Sequence, residues 1–481
     1  MNKGKCTKTA GGKKGFLDSW RAIIQGASFI FVWALSLFGS VETVWAQERP
    51  PELRQEQSLA GAFLDNFMAG SFEGTQRLAQ GELVLAGPRT NLGVYCSPIF
   101  KSAPFTELVM SWNAAAPQGT SVEVQAQVRV EGKWSAWFSW GKWNSWSAVG
   151  SQKEIVHDKL AVMDIDTLKV VKGKTADALQ YRIFLSSEQA HVTPRVTLLA
   201  ATVNAEQKTS KELTEKKDVV LEVPAYAQRR SDPRIAGQIC SPVSMAMTLN
   251  YHGVDVLPEE LAWRVTDHSQ DRFPFGNWSF NCAAAAAFGL KAYVAYENSV
   301  AELRETLQQT GPVIASVMYK NSEDVPDDLP VLHGAPVEAT DGHLVVVRGL
   351  VQQGGKEWVL VNDPAGDSGS VQRQYAAEEF EKAWTHYVYV IAKEKEAALR
   401  QPRRIPVKLL QKTAQTFLLQ GEEGERIVLE LQNIGSIVKQ KNQETIGFLE
   451  PESLGALLLR PEKDSQWLLI TKQQQTFCLT F

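Results

Sequence analysis

Cysteine is scarce in this chain, with five residues in 481, at positions 6, 96, 240, 282 and 478. Thiols so scattered do not make a disulfide framework, and a chain of this length can bury a sufficient core without one. Charge of neither sign dominates. The 50 Lys and Arg against 54 Asp and Glu leave a net charge of -4, which argues against a nucleic-acid partner. Past residue 46 no apolar run approaches the ~20 residues that cross a bilayer. No cofactor and no metal site is expected. Length alone suggests two to three domains.

What is present begins with an export-like leader, residues 1–46. Lys3, Lys5, Lys8, Lys13, Lys14 and Arg21 precede an apolar core, "ASFIFVWALSLFG", and Val44-Trp45-Ala46 offers the small residues a signal peptidase reads. The apolar core is too short for a spanning anchor, so cleavage is expected, with no stable membrane anchor afterwards. Removing six basic residues and two acidic ones (Asp18, Glu42) takes the net charge from -4 to -8. An extracellular or cell-envelope location follows. Export would permit one bridge among Cys96, Cys282 and Cys478.

Residues 47–60 read as a polar linker. From 61 to 204 short alternating segments such as "TELVMSW", "SVEVQAQVRV" and "YRIFLSS" are separated by Gly, Pro and Asn. That spacing predicts an all-β sandwich. The charged tract 205–218 has no apolar face and reads as a second linker. From 219 to 395 helical runs lead into strand-like runs, "PVIASVMY", "HLVVVRGL", "EWVLVND" and "THYVYVIA", which predicts an α+β domain. Residues 396–481 look like a small β-rich appendage carrying no chemistry.

Within 219–395, "CSPVSMAMTLNYHG" sets Cys240 at the start of a helix, with Pro242 in its first turn and Gly253 after its end. Unpaired N–H groups and the helix dipole favour a thiolate there. The alternative is a small core residue beginning a buried helix. His252, about 12 residues along the same helix, lies roughly 18 Å away and cannot be its base. His343 opens "HLVVVRGL", and the turn "QQGG" returns the chain as "KEWVLVNDP". Pairing about that turn makes residues whose numbers sum to 706–708 opposite, so His343 and Asp363 become cross-strand neighbours. A carboxylate there would fix the imidazole tautomer and stabilise an imidazolium. Asn362 should face the other way, and Asp341 reads as a turn residue. Cys282, before an alanine run, reads as a packing residue.

Taken together, "VPAYAQ", "CSPVSMAMTLNYHG", "GNWSFN", "GPVIASV", "GHLVVVRGL" and "VNDP" resemble the exported branch of papain-like cysteine peptidases related to the bacteriocin-processing (double-glycine leader) peptidases, peptidase family C thirty-nine-like. The resemblance, over Glu222 to Ala392, implies a papain-like fold and a Cys240–His343–Asp363 triad. It also implies an oxyanion glutamine, for which Gln228 matches the motif and Gln238 is the rival. Cys240-Ser241-Pro242 replaces the common Cys-Gly-Pro. The bacteriocin peptidases sit on membrane transporters, and no transporter segment follows here, so leader processing is not implied. The expected function is therefore cleavage of a peptide or protein substrate through an acyl-enzyme. An acidic insertion before His343, with Glu323, Asp324, Asp327 and Asp328, would favour basic substrates if it forms a lip of the cleft.

The tract "KWSAWFSWGKWNSWS" spaces Trp134, Trp137, Trp140, Trp143 and Trp146 by three, which neither a strand nor a helix places on one face. Split at Gly141-Lys142, it predicts Trp134 and Trp140 on one face and Trp137 on the other. Such rings either fill the sandwich core or stack on cell-wall glycan through Trp134, Trp137 and Trp140. A non-catalytic, glycan-binding envelope protein is the alternative function. With "SWNA" and "DIDTL", this region also resembles the accessory β domain found ahead of such exported peptidases.

Overall fold

The structure, a computed structural model, describes residues 62–147, 150–151, 156–205, 217–271, 274–394, 398–451 and 465–480. The leader, the linker 47–60 and most of the tract 205–218 lie outside the described residues. No helix among the described residues is long and apolar enough to cross a membrane.

The chain is multidomain and rich in strand. Two antiparallel seven-stranded sheets come first. One runs 161–164, 167–170, 107–115, 195–203, 83–85, 75–77, with 63–65 beside 195–203. The other runs 138–143, 120–130, 176–187, 92–96, 71–73, with two further strands on 120–130 and 176–187. Strand 120–130 alternates buried Val122, Val124, Ala126, Val128 and Val130 with half-buried polar residues, the period-2 pattern of a sheet with one face in the core. Trp112, Trp140, Tyr95, Tyr181, Phe105 and Phe138 fill the space between.

The tryptophans divide differently from the sequence expectation. A register shift between Ser139 and Lys142, with Gly141 at φ 88°, inserts one residue, so Trp140 and Trp143 both turn inward. Trp140 has no exposed surface, and its Nε1 donates to the Asp166 carbonyl at 2.7 Å. It therefore cannot be part of a glycan surface. Trp134 and Trp137 are half-buried and share the outward face, under the guanidinium groups of Arg129 at 5.9 Å and Arg182 at 4.3 Å. Trp140→Ala is expected to cost about 3–5 kcal/mol, the range for a buried aromatic. Trp137→Ala should cost about 1 kcal/mol or less, the worth of an exposed cation–π contact. Denaturant melts of the two variants check this.

Residues 217–394 carry five helices, α1 (Cys240–Tyr251), α2 (Pro258–Val265), α3 (Trp278–Ala286), α4 (Val300–Thr310) and α5 (Ala377–Ala383). They surround an antiparallel sheet ordered 291–296, 384–392, 313–320, 339–353, 356–362, 372–376. Helix α1 is buried from Ser241 to Leu249, and Ser244 Oγ pins it to the sheet through the Leu344 carbonyl at 3.1 Å. Residues 404–480 add a third architecture, a seven-stranded sheet with one parallel pair, 404–412 beside 476–480.

These parts share cores and hydrogen bonds. Phe280 and Ala283 of α3 belong to the sandwich core, and Phe280 meets Trp112 edge-on at 6.2 Å. Asn113 brackets the backbone of Ala292 with both its amide atoms, while Ser111 and Thr202 bond the Val294 backbone. On the other side, the C-terminal sheet grips α2 and the segment before α1. Ser436 Oγ donates to Asp232 and accepts from Trp263 Nε1, and Thr445 donates to buried Glu259. A Cβ on Gly435 would lie 2.5 Å from the Trp263 ring, so this approach requires glycine.

Candidate active site

The His343 strand, Ala339–Gln353, and its partner, Lys356–Asn362, form a hairpin about Gly354-Gly355, whose φ values of 61° and 76° fit a type I′ turn. Near the turn the register pairs Gln353 with Lys356 and Leu350 with Val359. A bulge between Val347 and Gly349 then shifts it, so Val347 faces Val361. That one residue decides the site. Without it, side chains on the His343 face would come from Asn362 and Pro364. With it, Asp363 shares that face and sits diagonally, rather than directly, across from His343. Gly349 is required at the bulge, because a Cβ there would lie 2.3 Å from the Val219 carbonyl oxygen.

His343 Nε2 and Asp363 Oδ1 are 2.8 Å apart, and both residues are buried. Asp363 also accepts from the Ala365 N–H at 3.0 Å and the Tyr375 hydroxyl at 3.2 Å. Burial would raise its carboxyl, but the imidazolium charge and these bonds hold it below the usual carboxylate range. Nε2 being used, Nδ1 is the ring nitrogen left for Cys240, whose thiol and the imidazole each shift the other's pKa. Burial opposes charge on His343 as well, yet Asp363 and the thiolate push its pKa up to about 10.

Cys240 is half-buried at the first residue of α1. Burial would raise its thiol, and the hydrogen bond and charge of His343, with the Leu344 and Ser241 N–H groups, outweigh this and lower it. The other described cysteines are also free thiols, and burial pushes each of them up. Cys282 is fully buried in α3, with the Asp166 charge adding to the rise. A thiolate–imidazolium pair at Cys240 and His343 is thus the charge state the surroundings favour.

The remaining candidates fall in distinct places. His252 bonds the Ile391 carbonyl at 3.1 Å. Asn362 turns away from His343, donating to the Val223 and Pro224 carbonyls. Its two bonds fix the segment leading to Gln228. The Gln228 N–H donates to the Pro364 carbonyl at 2.8 Å, one residue past Asp363. Its side-chain Oε1 is buried without a hydrogen-bond partner. Gln238 is exposed and lines the cleft beside Cys240, as does Asp341. Glu323, Asp327 and Asp328 line a separate hollow with His333 and Glu379. Those three carboxylates therefore do not line the Cys240 cleft.

Sequence reasoning missed two features. Tyr375 closes the hydrogen-bond set of Asp363, and nothing in its spacing marks it. The cleft itself, about 660 Å³, is lined on one side by residues of the N-terminal sandwich, Met163 to Thr167.

Residues 220–392 match the peptidase C39-like family. Residues 64–204 match the peptidase C39 N-terminal domain, so both halves of the described pairing have counterparts among peptidases. No curated protein matches the chain. Similar solved structures include the peptidase domain of Streptococcus ComA, a bifunctional ABC transporter of a quorum-sensing pathway, at 16% identity over 37% of this chain and 98% of that one, TM-score 0.23. A structure concerning the mite allergens Blo t 1 and Der p 1 aligns at 12% identity over 39% and 74%, TM-score 0.28. Digestive procathepsin L 3 of Tenebrio molitor larval midgut aligns at 12% over 39% and 72%, TM-score 0.28.

Proposed function

We propose that the protein is an exported, papain-like cysteine peptidase in which Cys240, His343 and Asp363 form the triad. The observation that carries this reading is a thiol held low beside a buried histidine that is itself held protonated by a buried carboxylate. The Cys240 thiolate attacks the substrate carbonyl carbon. His343 gives its proton to the departing amine as the C–N bond breaks, leaving a thioester. Water, deprotonated by the now neutral His343, releases the acid and restores the thiol pair. Asp363 orients the ring, and the Gln228 amide with the Cys240 N–H receives the oxyanion.

Export rests on the basic and apolar leader. The outward pair Trp134 and Trp137 supports a role in holding cell-wall glycan, with one face of the Trp137 ring already covered by Arg182. The geometry at Cys240 favours the hydrolase over a purely binding role. Brief iodoacetamide treatment at neutral pH should label Cys240 ahead of Cys96, Cys282 and Cys478, read by mass spectrometry. The labelled protein should lose its cleavage of a proteome-derived peptide library in step. Faster labelling of Cys282, or cleavage that survives full labelling of Cys240, would sink the reading.

A further inference from the structure

The cleft beside Cys240 is not built by the peptidase segment alone. Across from Cys240, Gln238 and Gly342 it is walled by Glu107 and by the hairpin of strands Ala161–Asp164 and Thr167–Val170, with Asp164 and Ile165 at the cavity and Met163 buried behind them in the sandwich core. That hairpin belongs to the sandwich and is held at Asp166 from two sides, and the adjoining strand Glu107–Ala115 adds a third tie. Asp166 Oδ2 accepts from the Trp278 N–H at the start of α3. The Asp166 carbonyl accepts from buried Trp140, and Glu107 accepts from the Tyr387 hydroxyl at 3.1 Å. The turn has only Ile165 and Asp166 between the paired Asp164 and Thr167. Ile165 has φ 57°, a conformation that a β-branched residue adopts only when its surroundings impose it. Backbone strain of this kind collects where a side chain must be aimed, and here the aimed side chain is in the cleft wall.

The wall has a definite chemistry. Apolar surface from Ile165, Met318 and Trp278 runs beside carboxyl groups. Among the described lining residues Glu107, Asp164 and Asp341 are acidic and Lys169 is basic, while the fourth carboxyl, Asp166, is buried and burial pushes it up to about 7. Lys169 is paired with Asp164 at 2.7 Å and also feels the charges of Glu107 and Asp166, so it offsets part of the negative charge and leaves the wall net acidic. An aliphatic stem ending in a cation matches such a surface along its whole length.

We propose that the sandwich hairpin is the specificity wall of the cleft and selects peptides with a lysine or arginine next to the cleaved bond. The inference rests on the peptidase reading above. It changes the part the sandwich plays, from a separate positioning module to a portion of the substrate site.

The test uses the full chain with internally quenched peptides differing at each position around the cleaved bond, bearing Lys, Arg, norleucine or Glu. Lys or Arg at one position should exceed Glu by about tenfold or more in kcat/KM, the low end of what a like-signed cleft gives, with norleucine between. Glu107→Gln with Asp164→Asn keeps the hydrogen-bonding shapes. This pair should shrink the Lys-to-Glu ratio in kcat/KM, with Cys240 alkylation serving as the check that the thiol pair is intact. Cleavage with no charge preference, or a ratio that the double variant leaves intact, overturns the wall but not the peptidase. A chain that cleaves nothing and whose Cys240 is no more reactive than Cys96 overturns both.

Discussion

Replacing His343 with Ala is expected to lower kcat by about 10⁴–10⁶-fold, the range seen when a triad base or its orienter is removed. The loss has two sources. The base that carries the proton to the leaving amine is gone, and the Cys240 thiol loses the partner that lowers it, so less thiolate exists at neutral pH. Alkylation of Cys240 should slow most below pH 7, which separates a changed thiol from a damaged fold. The folded chain should survive, because Asp363 keeps the Ala365 N–H and the Tyr375 hydroxyl. Its stability relative to the parent should depend on pH with a definite sign. His343 is raised from 6.5 to about 10, so its contribution is complete below about pH 6.5 and disappears as pH rises through 10. Asp363 is lowered, so its share is lost as pH falls through the acid range. The difference in melting temperature between parent and variant should therefore be largest between about pH 4 and 6.5 and shrink toward pH 10. Asp363→Asn should cost less activity than His343→Ala, and Asp341→Asn little. Full activity in Asp363→Asn with none in Asp341→Asn would move the orienting role.

Much of this site was legible in the sequence because its parts lie on regular elements. A cysteine before Ser-Pro and an apolar run reads as a helix start, and α1 begins at Cys240. The hairpin that brings His343 to Asp363 follows from two β-rich runs and a Gly-Gly turn. The register was legible only to within one residue, and the bulge beside Gly349 settles whether Asp363 or Asn362 meets the histidine. A glycine inside a strand is the signal for such a bulge. The tryptophan tract failed for the same reason. Gly141 inserts a residue between Trp140 and Trp143, and a strict alternation cannot anticipate an insertion. The cleft wall was out of reach for a different reason. The contact of Asp166 with Trp278 joins residues 112 apart, and no periodicity reports on contacts between domains.

Gln228→Ala is expected to reduce kcat by about 10²–10³, equal to roughly 2.7–4 kcal/mol, the usual loss of one preorganised oxyanion donor, with little change in KM. Sequence position alone makes this assignment awkward, since 12 residues separate Gln228 from Cys240 in the chain. The fold anchors the intervening segment at both ends. The Gln228 N–H is bonded to the carbonyl of Pro364, beside Asp363. Farther along, Asp232 and Arg234 are clasped by Ser436 and the Gly435 carbonyl of the C-terminal sheet, which holds the loop against the domain. A buried amide oxygen with no donor, as at Gln228 Oε1, is costly. Such a cost is tolerated where the other end of the amide has work to do on a substrate. Gln238 has the opposite character, exposed and two residues before the nucleophile, free to move with solvent and therefore poorly preorganised. Gln238→Ala should stay within about threefold of the parent, well short of the loss for a true oxyanion donor. Single-turnover rates on one peptide substrate decide between them. A normal rate in Gln228→Ala with a collapse in Gln238→Ala would give the oxyanion to Gln238 and leave Gln228 as a buried brace behind Asp363.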